Sequence, residues 1–232
     1  MADNSGSGGW RIDKHPRLLA DVNGDGKEDI VGFGNAGVYL ALSTGSGFSA
    51  PTLVSSHYSY NGGWRVDKHL RLLADVNGDN KKDIVGFGSD AVYVAFSTGT
   101  SFGNAFAAST SYTYNAGWRI DKHPRFLADV NGDGRQDIVG FGNAGAYVSL
   151  SAIVSFTAPS LVLSQYGYSA GSWRVSQHPR FLADVTGDGK EDIVGFGNSS
   201  VFVARSTSGS STPTFNTAAN WVNQYTYNLG WR

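Results

Sequence analysis

Cysteine is absent from this chain of 232 residues. Disulfides, thiolate catalysis and Cys-ligated zinc are therefore excluded. Charge is scarce, at 16% of residues, and 18 Lys plus Arg against 19 Asp plus Glu leave a formal net charge of −1. That balance gives no electrostatic footprint for nucleic acid or an anionic membrane. No apolar run approaches the roughly 20 residues that a membrane helix needs. The polar start, MADNSGSGGWR, has no charged region followed by an apolar core, so no secretory leader is visible. These absences predict a soluble protein, cytoplasmic or exported by a route that needs no leader. No segment keeps a helical period either.

What is present is glycine and repetition. Gly occurs 31 times without a period of three, so it marks turns. Apolar residues at 41% suffice for a sizeable core. The Trp of GWR falls at Trp10, Trp64, Trp118, Trp173 and Trp231, and an acidic loop opens at Asp21, Asp75, Asp129 and Asp184. Four repeats of about 54 residues follow, at approximately 10–63, 64–117, 118–172 and 173–231. Within the first repeat, Arg17 to Val22, Asp29 to Gly34 and Gly37 to Ser43 read as strands from their apolar runs and alternation. The aromatic segment His57 to Arg65 reads as a fourth. Four strands per repeat, in tandem, predict an all-β fold: a β-propeller of four-stranded antiparallel blades filling residues 1–232 as one domain.

Closure has two solutions. The chain starts at GGWR without a preceding YSYN and ends with YTYNLGWR at Trp231 and Arg232. Either one chain closes as four blades, the lower limit for propellers, or two half-rings join as a homodimer.

The acidic loop, DVNGDGKED in the first repeat, has the spacing of a calcium loop. Oxygen side chains stand at positions 1, 3, 5 and 9, and position 7 can offer its carbonyl. Calcium takes six to eight such hard oxygens. The sets are Asp21, Asn23, Asp25 and Asp29; Asp75, Asn77, Asp79 and Asp83; Asp129, Asn131, Asp133 and Asp137; and Asp184, Asp188 and Asp192, with Thr186 a poorer ligand. No bidentate Glu follows at position 12, unlike an EF-hand. Asn80 replaces Gly in the second loop, and Asn tolerates a left-handed backbone. The plain alternative is a turn in which Asp and Asn cap backbone N–H groups.

A second constant run, GWRIDKHPR and its copies, brings Trp, two Arg and His together. The sets are Trp10, Arg11, His15 and Arg17; Trp64, Arg65, His69 and Arg71; Trp118, Arg119, His123 and Arg125; and Trp173, Arg174, His178 and Arg180. Aromatic faces can stack on sugars, and Arg and His supply directed hydrogen bonds. The same residues could equally pack one blade on the next. Nothing singles out a catalytic set, because every reactive type recurs almost identically. The chain therefore reads as non-enzymatic. His57 is unrepeated, with Gln165 and Gln224 at comparable places, and reads as incidental. Near-identical sites on one scaffold suit avidity.

GWR, KHPR, ADVNGDG and DIVGFGNAGVY together resemble the Psathyrella velutina-type fungal lectins, integrin-like propellers of FG-GAP repeats related to an N-acetylglucosamine-binding lectin of Agrocybe. The resemblance spans all four repeats. It implies multivalent binding of terminal N-acetylglucosamine, with sialic acid as a second ligand, in pockets between consecutive blades. It also implies structural Ca2+ in some acidic loops, and glycans or glycoproteins as partners, without nucleic acid or membrane insertion. The pocket residues it suggests are the KHPR His and Arg, the GWR Trp, the residue after GFG (Asn35, Ser89, Asn143, Asn198), and the aromatic of GVY (Tyr39, Tyr93, Tyr147, Phe202). Family members have six or seven blades, which makes four repeats a departure. Ser176, Gln177 and Phe202 set the fourth repeat apart. The competing reading is a calcium-stabilised protein-interaction scaffold without sugar binding.

Overall fold

The computed structural model describes residues 9–230. The first eight residues, and the Trp231 and Arg232 of the fifth GWR, lie outside them. The chain divides into two compact units, residues 1–117 and 118–232, each holding two repeats. Every repeat forms one four-stranded antiparallel sheet with its strands in sequence order.

In the first unit these are β1 (Arg17–Ala20), β2 (Asp29–Phe33), β3 (Val38–Ala41) and β4 (Thr52–Ser55), then β5 (Arg71–Ala74), β6 (Asp83–Phe87), β7 (Val92–Ala95) and β8 (Phe106–Ser109). The second unit has β9 (Arg125–Ala128), β10 (Asp137–Phe141), β11 (Ala146–Ser149) and β12 (Ser160–Leu163), then β13 (Arg180–Ala183), β14 (Asp192–Phe196), β15 (Val201–Ala204) and β16 (Ala219–Val222). A short 3-10 turn spans Tyr227–Leu229. No helix among the described residues is long and apolar enough to cross a membrane.

The three inner strands lie where apolar alternation placed them, each trimmed at its ends. The fourth does not. His57 to Arg65 is a run of turns, and the outer strand is the short apolar TLVS segment before it. The physical reason is Tyr58. Its φ of 61° is left-handed, which ends any extended strand. Tyr112, Tyr166 and Tyr225 repeat this, with φ of 60°, 60° and 55°. Such a conformation costs a bulky residue about 1–3 kcal/mol, and the burial of Tyr58 and Tyr166 offsets it. The turn run then folds back on the sheet, with Tyr60 N–H donating to Gly34 O at 3.0 Å and Asn61 N–H to Asn35 O at 3.0 Å.

Each unit has its own core. In the first, Val22, Val31, Phe33, Val38 and Leu40 pack with Tyr58 and with Ile84 and Ala95 of the neighbouring repeat. In the second, Val130, Val139, Phe141 and Val148 pack with Tyr166, Trp173 and Ile193. The acidic loops join these cores within a unit. Lys82 N–H donates to Asp21 O at 3.0 Å, and Ser97 Oγ donates to Val22 O. In the second unit Glu191 N–H donates to Asp129 O at 2.9 Å and Ser206 Oγ to Val130 O at 2.6 Å.

Candidate functional site

The Trp of GWR sits on bare backbone. A Cβ on Gly86 would meet the Trp64 ring at 2.5 Å and the Tyr58 ring at 2.6 Å. On Gly195 it would meet both Trp173 and Tyr166 at 2.6 Å. The first glycine of VGFG is thus fixed by the aromatic laid across it. Beside the Trp stands the KHPR histidine, edge-on, with ring centroids 5.4 Å apart for both Trp64–His69 and Trp173–His178.

The histidine is pinned at both nitrogens. Its Nδ1 accepts the backbone N–H of the GWR Arg four residues earlier: Arg11 to His15 at 3.1 Å, Arg65 to His69 at 3.1 Å, Arg119 to His123 at 3.2 Å, and Arg174 to His178 at 3.0 Å. An accepting Nδ1 carries no proton, so a neutral ring carries it on Nε2. That N–H faces Asn35 Oδ1 at 2.8 Å, Ser89 Oγ at 2.9 Å, Asn143 Oδ1 at 3.0 Å and Asn198 Oδ1 at 2.8 Å. The asparagine must therefore present oxygen to the ring, and its Nδ2 amide is turned away from it. Burial lowers the pKa of His69, helped by Arg71 and Lys68, and burial also lowers that of His123. Both effects keep the ring neutral.

Among the described residues this frame builds a half-open cleft in each unit. The first, of about 400 Å³, is lined by His57, Tyr58, Trp64, His69, Ser89, Asp90 and Tyr93 together with Gly62, Gly63 and Gly88. The second, of about 300 Å³, is lined by Gln165, Tyr166, Trp173, His178, Asn198, Ser199, Phe202 and Ala218 with Gly171 and Gly197. Both volumes lie at the low end for small-ligand sites. Each cleft gathers the Trp, the His, the residue after GFG and the GVY aromatic, as the sequence grouped them. The first and third sets carry the same frame, with Trp10 edge-on to His15 and Tyr39, and Trp118 to His123 and Tyr147.

The KHPR arginines depart from the sequence reading. Arg71 and Arg180 are buried and do not line the clefts. Arg71 Nη1 donates to Tyr58 O at 3.1 Å with its guanidinium over the Phe33 and Trp64 rings. Arg180 does the same with Tyr166 O at 2.9 Å over Phe141 and Trp173. Burial brings the pKa of each down to about 10. Arg125 is also buried, whereas Arg17 is exposed. The GWR arginines are brackets too: Arg65 donates to Tyr60 O and stacks 3.9 Å from its ring, and Arg174 repeats this on Tyr168.

Sequence reasoning missed Tyr58 and Tyr166, absorbed into a supposed strand, and the second residue after GFG (Asp90, Ser199). It set aside His57 as incidental, yet His57 and Gln165, at the comparable place, line corresponding walls. The recurring YxY pattern was the available signal for the tyrosines.

In the acidic loops the position-9 carboxylate is turned into the fold. Asp29 is fully buried, and its two oxygens accept Val22 N–H at 3.1 Å and Ser43 N–H at 2.8 Å. Asp83, Asp137 and Asp192 repeat both bonds. Burial pushes Asp83 and Asp137 up to about 7. Asp21 accepts N–H from Gly24, Asp25 and Gly26, while Asn23 and Asp25 cap Asp25 and Lys27. Asp75, Asp129 and Asp184 build the same cradles, and Asn77 and Asp79 and Asn131 and Asp133 the same caps. In the fourth loop Asp188 caps Lys190 N–H. Asn80 takes φ of 64° where Gly26 has 80°, so Asn replaces Gly at its left-handed position. Among the described residues no three acidic or histidine side chains converge as a metal site.

A family model for the FG-GAP-like repeat matches residues 75–150. No curated protein matches the chain by sequence. Among solved structures the chain is similar to an Agrocybe aegerita lectin, described for its specific recognition of non-reducing terminal N-acetylglucosamine. The TM-score is 0.89 at 42% identity, covering 97% of this chain and 56% of that one. The chain thus spans little more than half of that lectin. The Photorhabdus luminescens Tc holotoxin pore shares the fold, with a TM-score of 0.59 at 19% identity over 89% of this chain and 9% of that one. FG-GAP-like repeats are present, and the likeness to the Agrocybe lectin runs through all four.

Proposed function

We propose that this chain of FG-GAP-like repeats is a non-enzymatic, multivalent lectin for N-acetylglucosamine-terminated glycans, which it holds in the clefts between consecutive repeats. The observation that carries this reading is the pinned His–Asn pair under an aromatic wall. In the fourth repeat His178 fixes Asn198 so that an amide N–H is available as a donor. An acetamido carbonyl is an acceptor of matching kind, and Phe202, beside the largely buried Trp173, offers apolar surface for the C–H face of a pyranose. The likeness to the Agrocybe lectin supports the same ligand. Recurrence of the frame supports several sites per chain, and sialic acid is a second ligand on the same reading. Calorimetric titration with N-acetylglucosamine tests it. Heat with more than one site per chain is expected, and no heat at millimolar sugar with a folded protein refutes it.

Two further proposals accompany it. The four sheets are blades of a β-propeller, supported by their identical in-order topology. Solution molar mass separates closure by one chain from a homodimer. Ca2+ would be held by the side-chain oxygens of the acidic loops, such as Asp21, Asn23 and Asp25, with structural effect only. The oxygen spacing supports this, although in the geometry described those oxygens serve backbone N–H groups. A calcium-dependent scaffold without sugar binding is the competing reading, and the same titration decides against one of them.

A further inference from the structure

We infer that the cleft of the second repeat selects sugars carrying a free amine, because it exchanges an amide donor for a carboxylate. The inference rests on the lectin reading and concerns one cleft only. After GFG the four repeats read Asn35-Ala36, Ser89-Asp90, Asn143-Ala144 and Asn198-Ser199. Only the second lacks asparagine, and only the second carries an acid.

The geometry makes both changes matter. His69 Nε2 faces Ser89 Oγ at 2.9 Å, so the histidine frame is kept while the Nδ2 donor of the asparagine is gone. Asp90 lines the cleft and accepts one hydroxyl, Tyr93 Oη, at 3.1 and 3.2 Å from its two oxygens. No Lys or Arg among the described residues pairs with it. An ionised carboxylate only accepts. The cleft therefore presents an uncompensated negative charge, steadied by a tyrosine, where its counterpart presents Asn198, Ser199 and Phe202. Phe202 has no hydroxyl to hold an acid in that place.

Ser89 still has one hydroxyl donor, but Asp90 only accepts, so a ligand that brings donors or positive charge gains in this cleft. A hexosamine with a protonated amine does so. Its N-acetylated form brings a neutral carbonyl acceptor, and an acidic sugar brings like charge. Asp90 is exposed, so screening limits the gain to about two- to five-fold. Discrimination here comes from repelling the wrong ligand as well as attracting the right one.

Glucosamine and N-acetylglucosamine are titrated calorimetrically into the full chain at neutral pH and low salt, for the wild type, Asp90→Asn and the double variant Ser89→Asn/Asp90→Ala. Melting curves confirm that each variant is folded. Glucosamine is expected to fill one site per chain in the wild type. Its affinity relative to N-acetylglucosamine should fall about two- to five-fold in Asp90→Asn, and added salt should erase the wild-type preference. An unchanged ratio in folded Asp90→Asn, with N-acetylglucosamine still bound, overturns this inference alone. Failure of both sugars to bind the wild type overturns the lectin reading and this inference with it.

Discussion

Replacing His178 with Phe tests whether the histidine frame is what the structure implies. The ring is buried and makes two bonds, from Arg174 N–H at 3.0 Å and to Asn198 Oδ1 at 2.8 Å. A neutral hydrogen bond contributes about 1 kcal/mol net, and a buried donor left without an acceptor costs about 1–3 kcal/mol. Asn198 is exposed, so its oxygen returns to water at little cost. Phenylalanine fills the volume beside Trp173, so no large cavity opens. The expected loss is about 2 kcal/mol, roughly 4–8 °C in melting temperature for a chain of this size. Urea denaturation measures it. In a double-mutant cycle with Asn198→Ala the coupling should be about 1 kcal/mol. Nitrogen-15 NMR should find His178 protonated on Nε2 and bare on Nδ1. A loss under about 0.5 kcal/mol, or the opposite tautomer, refutes the reasoning.

Gly86→Ala places a methyl carbon 2.5 Å from the Trp64 ring, and overpacking of this kind should destabilise by about 1–3 kcal/mol in a thermal melt and weaken sugar binding in that cleft. For His69 and His123 the folded pKa is depressed, so their contribution to stability is present above about pH 6.5 and lost as pH falls below it. Asp83 and Asp137, raised to about 7, act in the opposite sense: their contribution is complete below the ordinary carboxylate pKa and disappears as pH rises through about 7. The two trends oppose, so the check is residue-resolved: NMR titration should show His69 and His123 protonating below the unfolded reference, and sugar binding failing with them. If the acidic loops hold calcium, excess chelator should lower the melting temperature, while an unchanged melt argues that the turns stand on their own hydrogen bonds.

How far the sequence could be read follows from what each signal depends on. Inner strands were legible because Val31 and Phe33, and their copies, sit in short apolar runs bounded by turn residues, the mark of a strand buried along its length. The acidic loop was legible as a turn because Asp and Asn cap backbone locally. His57 to Arg65 misled because aromatic residues favour strands, whereas the left-handed Tyr58 is imposed by packing against Gly86 and Trp64 of the next repeat. The partnership of His69 with Ser89 spans 20 residues, two strands and the acidic loop between them, so no period reveals it. Arg71 was read as a ligand group because its side chain is polar. Its place under Trp64 depends on the Tyr58 carbonyl, which only the fold supplies.

Repetition within one chain also separates scaffold from selectivity. Among the residues that recur without change, several have buried roles in which every polar atom is met. Asp29, Asp83, Asp137 and Asp192 each clamp two backbone N–H groups at zero exposure, and each histidine is held at both nitrogens. Changing any of them leaves a buried partner unmet, so the fold demands the same residue each time. The second position after GFG carries no such demand. Ala36, Asp90, Ala144 and Ser199 are all exposed, and they differ. The aromatic at Tyr39, Tyr93, Tyr147 and Phe202 keeps its ring against the Trp and varies only at the hydroxyl. One frame, built identically by burial, is thus free to present different donors and charges at its rim. On the lectin reading, repeats that are identical inside and different there would distribute several related ligand preferences over one chain.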